Sequence, residues 1–295
     1  MDGAIHKKKI NLARQIVSLA LGEDLEPDGD ISTRYLDPEQ ICQAQILAKE
    51  AGVMSCSWLV ELIFEEYAKC HPEPSRASGS PQIKILVKDG SKFKAGQVVI
   101  EIQANARAIL ACERSILNFL QRLCGIATYS NRLVELIQDY DCELLDTRKT
   151  MPGMRALEKQ AFKDGGGTNH RFNLSDMIML KENHLALAGA DLISVIEESK
   201  ELGKKIEVEI NQHNLDKLDA VIAAEIDQIM LDNFAAAAIP SIIASKAKQS
   251  NAKFEASGGI NESHLIDYSK TGVDYISTSI CFTQAKNIDL SMLIK

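Results

Sequence analysis

The stretch Leu144–Arg155, LLDTRKTMPGMR, places Arg148, Lys149 and Arg155 in one eight-residue window. Further on, GGGTNHR adds His170 and Arg171, and MIMLKENH adds Lys181. These are hydrogen-bond donors that grip carboxylate and phosphate, and an arginine fork binds either one bidentately. A second set consists of acceptors. Glu209 in EVEI and Asp232 in IMLDNF suit ribose hydroxyls or a hydrated Mg2+. A third set is small: Ser257-Gly258-Gly259 and Thr278-Ser279, where backbone N–H groups can approach a phosphate. The three sets fit a ligand pair with several anionic groups, a sugar and a magnesium ion. A phosphorylated sugar donor meeting an acidic co-substrate answers that description.

This local concentration of cations stands in a chain of 295 residues with formal net charge -8. The acidic balance argues against a general nucleic-acid binder, which spreads Lys and Arg over a surface to neutralise phosphates. The N-terminal MDGAIHKKKINLARQ has no apolar region or small-residue cleavage site behind its lysines, so it does not read as a signal peptide. No window approaches the roughly 18 apolar residues of a membrane helix. The seven cysteines are scattered, odd in number and without a CxxC, which predicts reduced thiols in a cytoplasmic protein. Cys42, Cys56 and Cys70 are evenly spaced, but their gaps match no zinc pattern.

The elements that must position these groups follow from periodicity. Residues 8–22 show helical spacing ending at a glycine. CQAQILAKEAG alternates as a strand, and SWLVELIFEEYAKC is an amphipathic helix. HPEPSRASGSP reads as a loop. IKILVKDGSKFKAGQVVIEIQ reads as two strands around an Asp-Gly turn, and residues 107–121 as a long helix. This N-terminal part is expected to form a small mixed sheet with helices. Short apolar runs then recur at 142–149, 177–183, 205–211, 227–233, 253–259 and 274–279, with helical patterns between most of them. Strand alternating with helix at this spacing predicts parallel βα units, in an open doubly wound sheet or a closed barrel. Neither GxGxxG nor a Walker A is present, which favours the barrel.

Active-site residues of such a barrel cluster at the C-terminal ends of its strands. The six runs end in Asp146-Thr147-Arg148-Lys149, Lys181-Glu182-Asn183-His184, Glu209, Asp232, Ser257-Gly258-Gly259 and Thr278-Ser279. Singly, each has a plainer explanation. Lys181 would be a solvated strand end, Asp232 a helix cap, and SGG a turn. Glu207 and Glu209 share one side of their strand; if that side faces a lumen, both need partners. The glycine triplet 165–167 exceeds what a helix C-cap needs, and the surplus predicts backbone held close to a ligand or another chain.

At DTRKTMPGMRALEKQA, GGGTNHRFNLSDMIMLKENH, EVEI, IMLDNF and EASGGI the sequence resembles quinolinate phosphoribosyltransferase. EDLEPDGDIS and ERSILNFLQRLCGIAT extend the resemblance over nearly the whole chain. It implies an α/β fold: an N-terminal open-faced α/β sandwich at 1–115 and an incomplete parallel α/β barrel at 116–282, with the tail 283–295 packing back on the first domain. It also implies a homodimer. The implied reaction joins quinolinate to phosphoribosyl pyrophosphate with Mg2+, giving nicotinate mononucleotide, pyrophosphate and CO2. Arg148, His170 and Arg171 would line the quinolinate carboxylate pocket, with Thr147 beside them. Lys149 and Lys181 would be shared with the donor, and Arg114 would come from the neighbouring subunit. Glu209 and Asp232 match the acidic pair near ribose and metal, and Ser257, Gly258 and Gly259 the 5′-phosphate loop, with Thr278 and Ser279 close by. The chain departs from the family at YISTSICFTQ, where a glycine gives way to Ser279 and a Thr-His to Phe282-Thr283. A looser donor site or a shifted loop is expected there.

Other readings make different demands. Nicotinate, or the acceptor of the molybdenum-associated homologues, would replace quinolinate, although two arginines and a histidine favour a dicarboxylate. A Schiff-base aldolase would use Lys181. A lipoyl- or biotinyl-carrier hairpin would use VKDGSKFKAGQVVIEI, with a modifiable lysine at its tip.

Overall fold

The computed structural model describes residues 2–70, 80–181, 183–184, 187, 191–246 and 251–295. Most of the expected loop at 71–81, and Glu182, lie outside the described residues. The chain divides into two compact units. One comprises Met1–Asn131, Thr150–Gly166 and Gln284–Lys295, the other Arg132–Lys149 and Gly167–Thr283.

The first unit is built on β1 (Ile41–Ala48), β3 (Gln82–Ile85), β5 (Val98–Asn105) and β12 (Leu290–Ile294), in the order β12-β1-β5-β3 and antiparallel throughout. Alternation decides which face is buried. Ala44, Ile46, Ile100 and Ile102 stand in register on the closed face and are almost wholly inaccessible. Gln43, Gln45, Glu101 and Gln103 form the other face, where Gln45 donates to Glu101 at 3.0 Å. One covered face and one polar face make an open-faced sandwich. Helices α1 (Asp2–Leu25) and α2 (Leu59–Cys70) are tied by Arg14–Glu65 at 2.7 Å and Ser18–Glu66 at 3.2 Å. Helix α3 (Ala106–Ile137) buries Ile109, Ile116, Leu120 and Leu123.

The Asp-Gly turn does not close a hairpin between its flanking strands. β3 pairs with β5, whereas β4 (Lys92–Phe93) pairs with β2 (Gly52–Val53). Gly90 supplies the left-handed φ of +78° that the turn needs, and Asp89 accepts the Ser57 N–H at 2.9 Å. The turn therefore links two sheets. It presents no lysine-tipped carrier hairpin, and that reading falls.

The second unit holds six parallel strands: β6 (Glu143–Leu145), β7 (Ile178–Leu180), β8 (Ile206–Ile210), β9 (Gln228–Asp232), β10 (Lys253–Ser257) and β11 (Tyr275–Ser277). Each lies within one of the six apolar runs. Their order is β6-β11-β10-β9-β8-β7. The last strand thus returns beside the first, the closing contact of a barrel rather than the edge of a doubly wound sheet. Among the described residues β6 and β7 do not pair. Thr168 bridges to Leu145 on the free side of β6 instead. The barrel is incomplete at that one seam. Helices Leu192–Lys200, Leu218–Ala223, Ile239–Lys246 and Glu262–Ser269 fill the connections.

Glycine packing answers the question raised by the triplet. A Cβ on Gly165 would lie 2.6 Å from Ser130 Cβ and 3.0 Å from the Asn131 backbone nitrogen. Close approach of the end of α4 (Arg155–Asp164) to α3 requires that glycine, and Gly166 follows at φ +96°. The nearby backbone belongs to the chain's own helix.

Candidate active site

Register pairing defines the inner wall of the second unit, because partners across parallel strands point to the same side. Glu207 stands beside Gln228, Glu209 and Glu255 beside Met230, Ser257 beside Asp232, and Ser277 beside Leu145. The polar members of this wall fall at two levels, a rim at the strand ends and a floor nearer the strand starts.

The rim collects most of the expected site. After β6, Thr147 Oγ1 accepts the Lys149 N–H at 3.1 Å, and this turn leaves Lys149 exposed and Arg148 half-buried. After β7, the Lys181 ammonium is ion-paired with Glu209, whose side chain is 12% exposed. The pair sets an ammonium beside a carboxylate at the strand end, which suits binding of an anionic ligand. At the end of β9, Asp232 Oδ2 accepts from Asn233 Nδ2 at 2.6 Å. Asn233 adopts a left-handed φ of +59°, and its N–H donates to Ser257 O at 3.0 Å, joining the ends of β9 and β10. A Cβ on Gly258 (φ +94°) would lie 2.7 Å from the Asn233 nitrogen. Gly259 (φ +62°) has open space around it. Backbone is thereby exposed to a ligand at the loop expected to hold phosphate.

Three rim groups are committed within the protein. Thr278 is buried, and its hydroxyl donates to Ile260 O at 2.7 Å. Ser257 Oγ accepts from Ser277 Oγ at 2.9 Å. Ser279 O accepts the Phe282 and Thr283 N–H groups at 3.0 Å and the Thr283 hydroxyl at 3.2 Å, starting the short helix Ile280–Thr283. The departure at Thr283 thus caps that turn. Arg155 Nε donates to Thr150 Oγ1 at 3.2 Å. Arg114, in the other unit, is exposed on α3.

His170 and Arg171 follow Thr168, which bridges to Leu145 at the end of β6. With Gln228, Lys205 and Tyr275, which start or precede strands, they line a cavity of about 350 Å³. The His170 ring is 6% exposed, and its Nε2 lies 3.2 Å from both Glu207 and Glu255, whose side chains are wholly buried. Gln228 Nε2 donates to Glu207 at 3.1 Å and to Glu255. Burial alone would push the imidazole down. The two facing carboxylates outweigh it and raise His170 to about 9. Burial, then the like charge of Glu255, raises Glu207 to about 7 against the pull of His170. The Arg171 N–H donates to Nδ1 at 2.7 Å. Arg171 itself donates to Met177 O at 3.1 Å across the open seam. Burial, then Arg148, lowers its pKa.

Glu255, Gln228 and Asn233 are polar residues that motif reading passed over. Parity could have found the first two. Glu255 shares its strand side with Ser257, and Gln228 with Asp232, and a charged residue inside a five-residue barrel strand is expensive unless paired.

An incomplete α/β barrel whose rim alternates cations, carboxylates and a glycine loop defines an enzyme that handles phosphorylated sugars. The sequence comparisons narrow the class. Residues 30–124 match the N-terminal domain of quinolinate phosphoribosyl transferase and residues 126–293 its C-terminal domain. The chain is 36% identical to a probable nicotinate-nucleotide pyrophosphorylase [carboxylating] of Bacillus subtilis, over 90% of this chain and 87% of that one. It is 30% identical to the corresponding Mycobacterium leprae protein, over 96% and 98%. The solved nicotinate-nucleotide pyrophosphorylase of Francisella tularensis superposes with a TM-score of 0.84 at 34% identity, over 97% of this chain and 96% of that one. The chain belongs to the quinolinate phosphoribosyltransferase family and is a phosphoribosyltransferase.

Proposed function

We propose how this enzyme divides its labour. It transfers the phosphoribosyl group of phosphoribosyl pyrophosphate to quinolinate, giving nicotinate mononucleotide, pyrophosphate and CO2 in NAD biosynthesis. The observation that carries the assignment of residues is the rim, where Arg148, Lys149 and the Lys181–Glu209 pair share the strand ends with Asp232 and the Gly258-Gly259 loop.

The quinolinate ring nitrogen attacks the anomeric carbon of ribose while the C–O bond to pyrophosphate breaks and its electrons leave with that group. The transition state is oxocarbenium-like, so positioning two anions and stabilising the departing charge supplies the catalysis, with no nucleophilic side chain. Arg148 and Arg171 are assigned to the carboxylates of quinolinate, Lys149 and Lys181 to both substrates, and Gly258-Gly259 with Ser257 to the 5′-phosphate. Glu209 and Asp232 face the ribose. Their carboxylates, at the ends of adjacent strands, are a fitting donor set for Mg2+ carried in with the donor. Mg2+ would neutralise charge on the leaving pyrophosphate.

After transfer the ring nitrogen is cationic. The C–CO2 bond breaks with its electron pair left on the ring carbon, where the adjacent cationic nitrogen stabilises it; CO2 departs, and that pair takes up a proton. Lys149 is assigned to that proton delivery because it is the exposed ammonium at the end of β6. Lys149→Ala is expected to lower kcat on the order of a hundredfold, and near-normal turnover would sink the assignment. Arg114 is assigned to the partner's site in a homodimer. The support is its exposure on α3, and mixing Arg114→Ala protein with a rim-dead variant should restore activity through hybrid dimers. The cytoplasm is the proposed location. Incubation with Mg2+, phosphoribosyl pyrophosphate and either quinolinate or nicotinate tests the whole. Nicotinate mononucleotide and CO2 from quinolinate alone is the expected result.

A further inference from the structure

Glu158 lies in α4 with its side chain wholly buried, against Arg122 of α3. Both residues belong to the first unit. An arginine facing a carboxylate ordinarily spreads its fork over both oxygens. Here Arg122 Nε and Nη2 both donate to Oε1, at 3.2 and 2.8 Å. Oε2 is left to accept the Met151 N–H at 3.1 Å. Met151 is two residues past Lys149. Met151, Pro152 and Gly153 are all exposed, so little side-chain burial holds this turn. Its fixed points are polar: Arg155 Nε donates to Thr150 Oγ1, and the Met151 N–H donates to Glu158. The remaining Arg122 nitrogen, Nη1, donates to Ala285 O at 3.2 Å. The tail around Ala285 is also held independently. Gln121 Nε2 donates to Leu290 O at 2.9 Å, and the Ile288 N–H donates to Gln121 O at 3.0 Å.

We propose that Glu158 and Arg122 are positioning residues for phosphoribosyl transfer. Arg122 orients the Glu158 carboxylate, and Glu158 fixes the backbone at Met151. Through the two preceding peptide units this sets the direction in which Arg148 and Lys149 leave β6. A purely structural ion pair would give both carboxylate oxygens to the arginine. Sharing them between a cation and a main-chain N–H is what an anchor requires. A wholly buried carboxylate cannot trade either partner for water, so the anchor is permanent. The proposal rests on the reading of Arg148 and Lys149 as groups that meet the substrates. Residues that orient a ligand-binding group in this way act through geometry, as outer-shell partners of metal ligands do.

The test uses full-length enzyme labelled with 15N-methionine, with the Met151 amide assigned by comparison with Met151→Leu. Glu158→Gln keeps the shape but offers one acceptor oxygen, so its amide N–H faces either the Arg122 guanidinium or the Met151 N–H. It is expected to move the Met151 amide shift and to lower kcat/KM for quinolinate on the order of tenfold, with the KM for phosphoribosyl pyrophosphate within about twofold. Gln121→Ala loosens only the tail and is expected to leave the Met151 shift and both kinetic constants unchanged. Should Glu158→Gln fold poorly, Arg122→Lys replaces the fork with a single ammonium and is expected to act in the same direction, with a loss of about threefold. A Met151 shift that stays put in the folded variant would overturn the proposal. So would unchanged kcat/KM in a variant whose shift has moved, or an equal loss in Gln121→Ala. An enzyme that forms no nicotinate mononucleotide at all would break the functional reading instead, while the Met151 shift on Glu158→Gln still tests the anchor itself.

Discussion

Glu207 and Glu209 sit on the same strand, on the same side, two residues apart, and the barrel gives them different work. Glu209 is near the rim, partly accessible, and paired with a lysine that has solvent on its other side. Glu207 is on the floor, wholly buried, and bound to His170, with Gln228 between it and Glu255. A rim carboxylate can exchange its partner for a ligand at little cost because water covers the interval. A floor carboxylate has no such recourse, so its partners are permanent. Depth in the lumen thus separates groups free to meet substrate from groups that hold the scaffold.

The sharpest way to break this comparison is to truncate both. Glu207→Ala leaves His170 and Glu255 buried with their balance gone and is expected to cost about 3–5 kcal/mol, read by denaturant unfolding. Glu209→Ala is expected to cost under ~1 kcal/mol and to abolish most activity instead. Equal stability losses would show that depth does not sort the two.

Backbone at the rim gives the next contrast. Gly258→Ala pushes a methyl into the Asn233 backbone as well as straining φ, whereas Gly259→Ala meets open space and pays only for φ. Expected losses are ~2–3 and ~1 kcal/mol, with the KM for phosphoribosyl pyrophosphate rising in both.

The floor also sets a pH dependence. Glu207 binds its proton more tightly folded (about 7) than unfolded (4.5), so its ionisation removes stability as pH rises through that window. His170, raised from 6.5 to about 9, contributes stability fully below 6.5 that is lost as pH passes 9. Both signs agree. Unfolding free energy should fall from pH 5 to 9, and Glu207→Gln should flatten that slope. A slope unchanged in the variant would place the titration elsewhere. The smallest effect is expected at Ser279→Gly, a change in donor KM of about twofold, because the Ser279 carbonyl rather than its side chain anchors the short helix.

Much of this is legible in the sequence. The six strands lie where apolar runs recur, since a parallel strand covered on both faces needs continuous apolar residues. The cations, acids and small residues at strand ends were legible because barrel topology assigns those positions to one face. The anti-hairpin pairing around Asp89-Gly90 was not, because an Asp-Gly turn dictates a local reversal and says nothing about which strands then associate. Nor was the purpose of Gly165, whose neighbour in space is more than thirty residues away in α3.

By itself the sequence determined the alternation of strand and helix, the chemical types at each strand end, and the family. All of these are local or periodic properties of the chain. Only the tertiary structure decided that β11 returns beside β6, that the seam falls between β6 and β7, and that His170 turns inward while Lys149 and Lys181 face the rim. Those outcomes depend on which buried carboxylates meet which donor across strands 37 and 85 residues further along the chain. No local propensity encodes that distance; the cost of burying Glu207 and Glu255 unpaired enforces it.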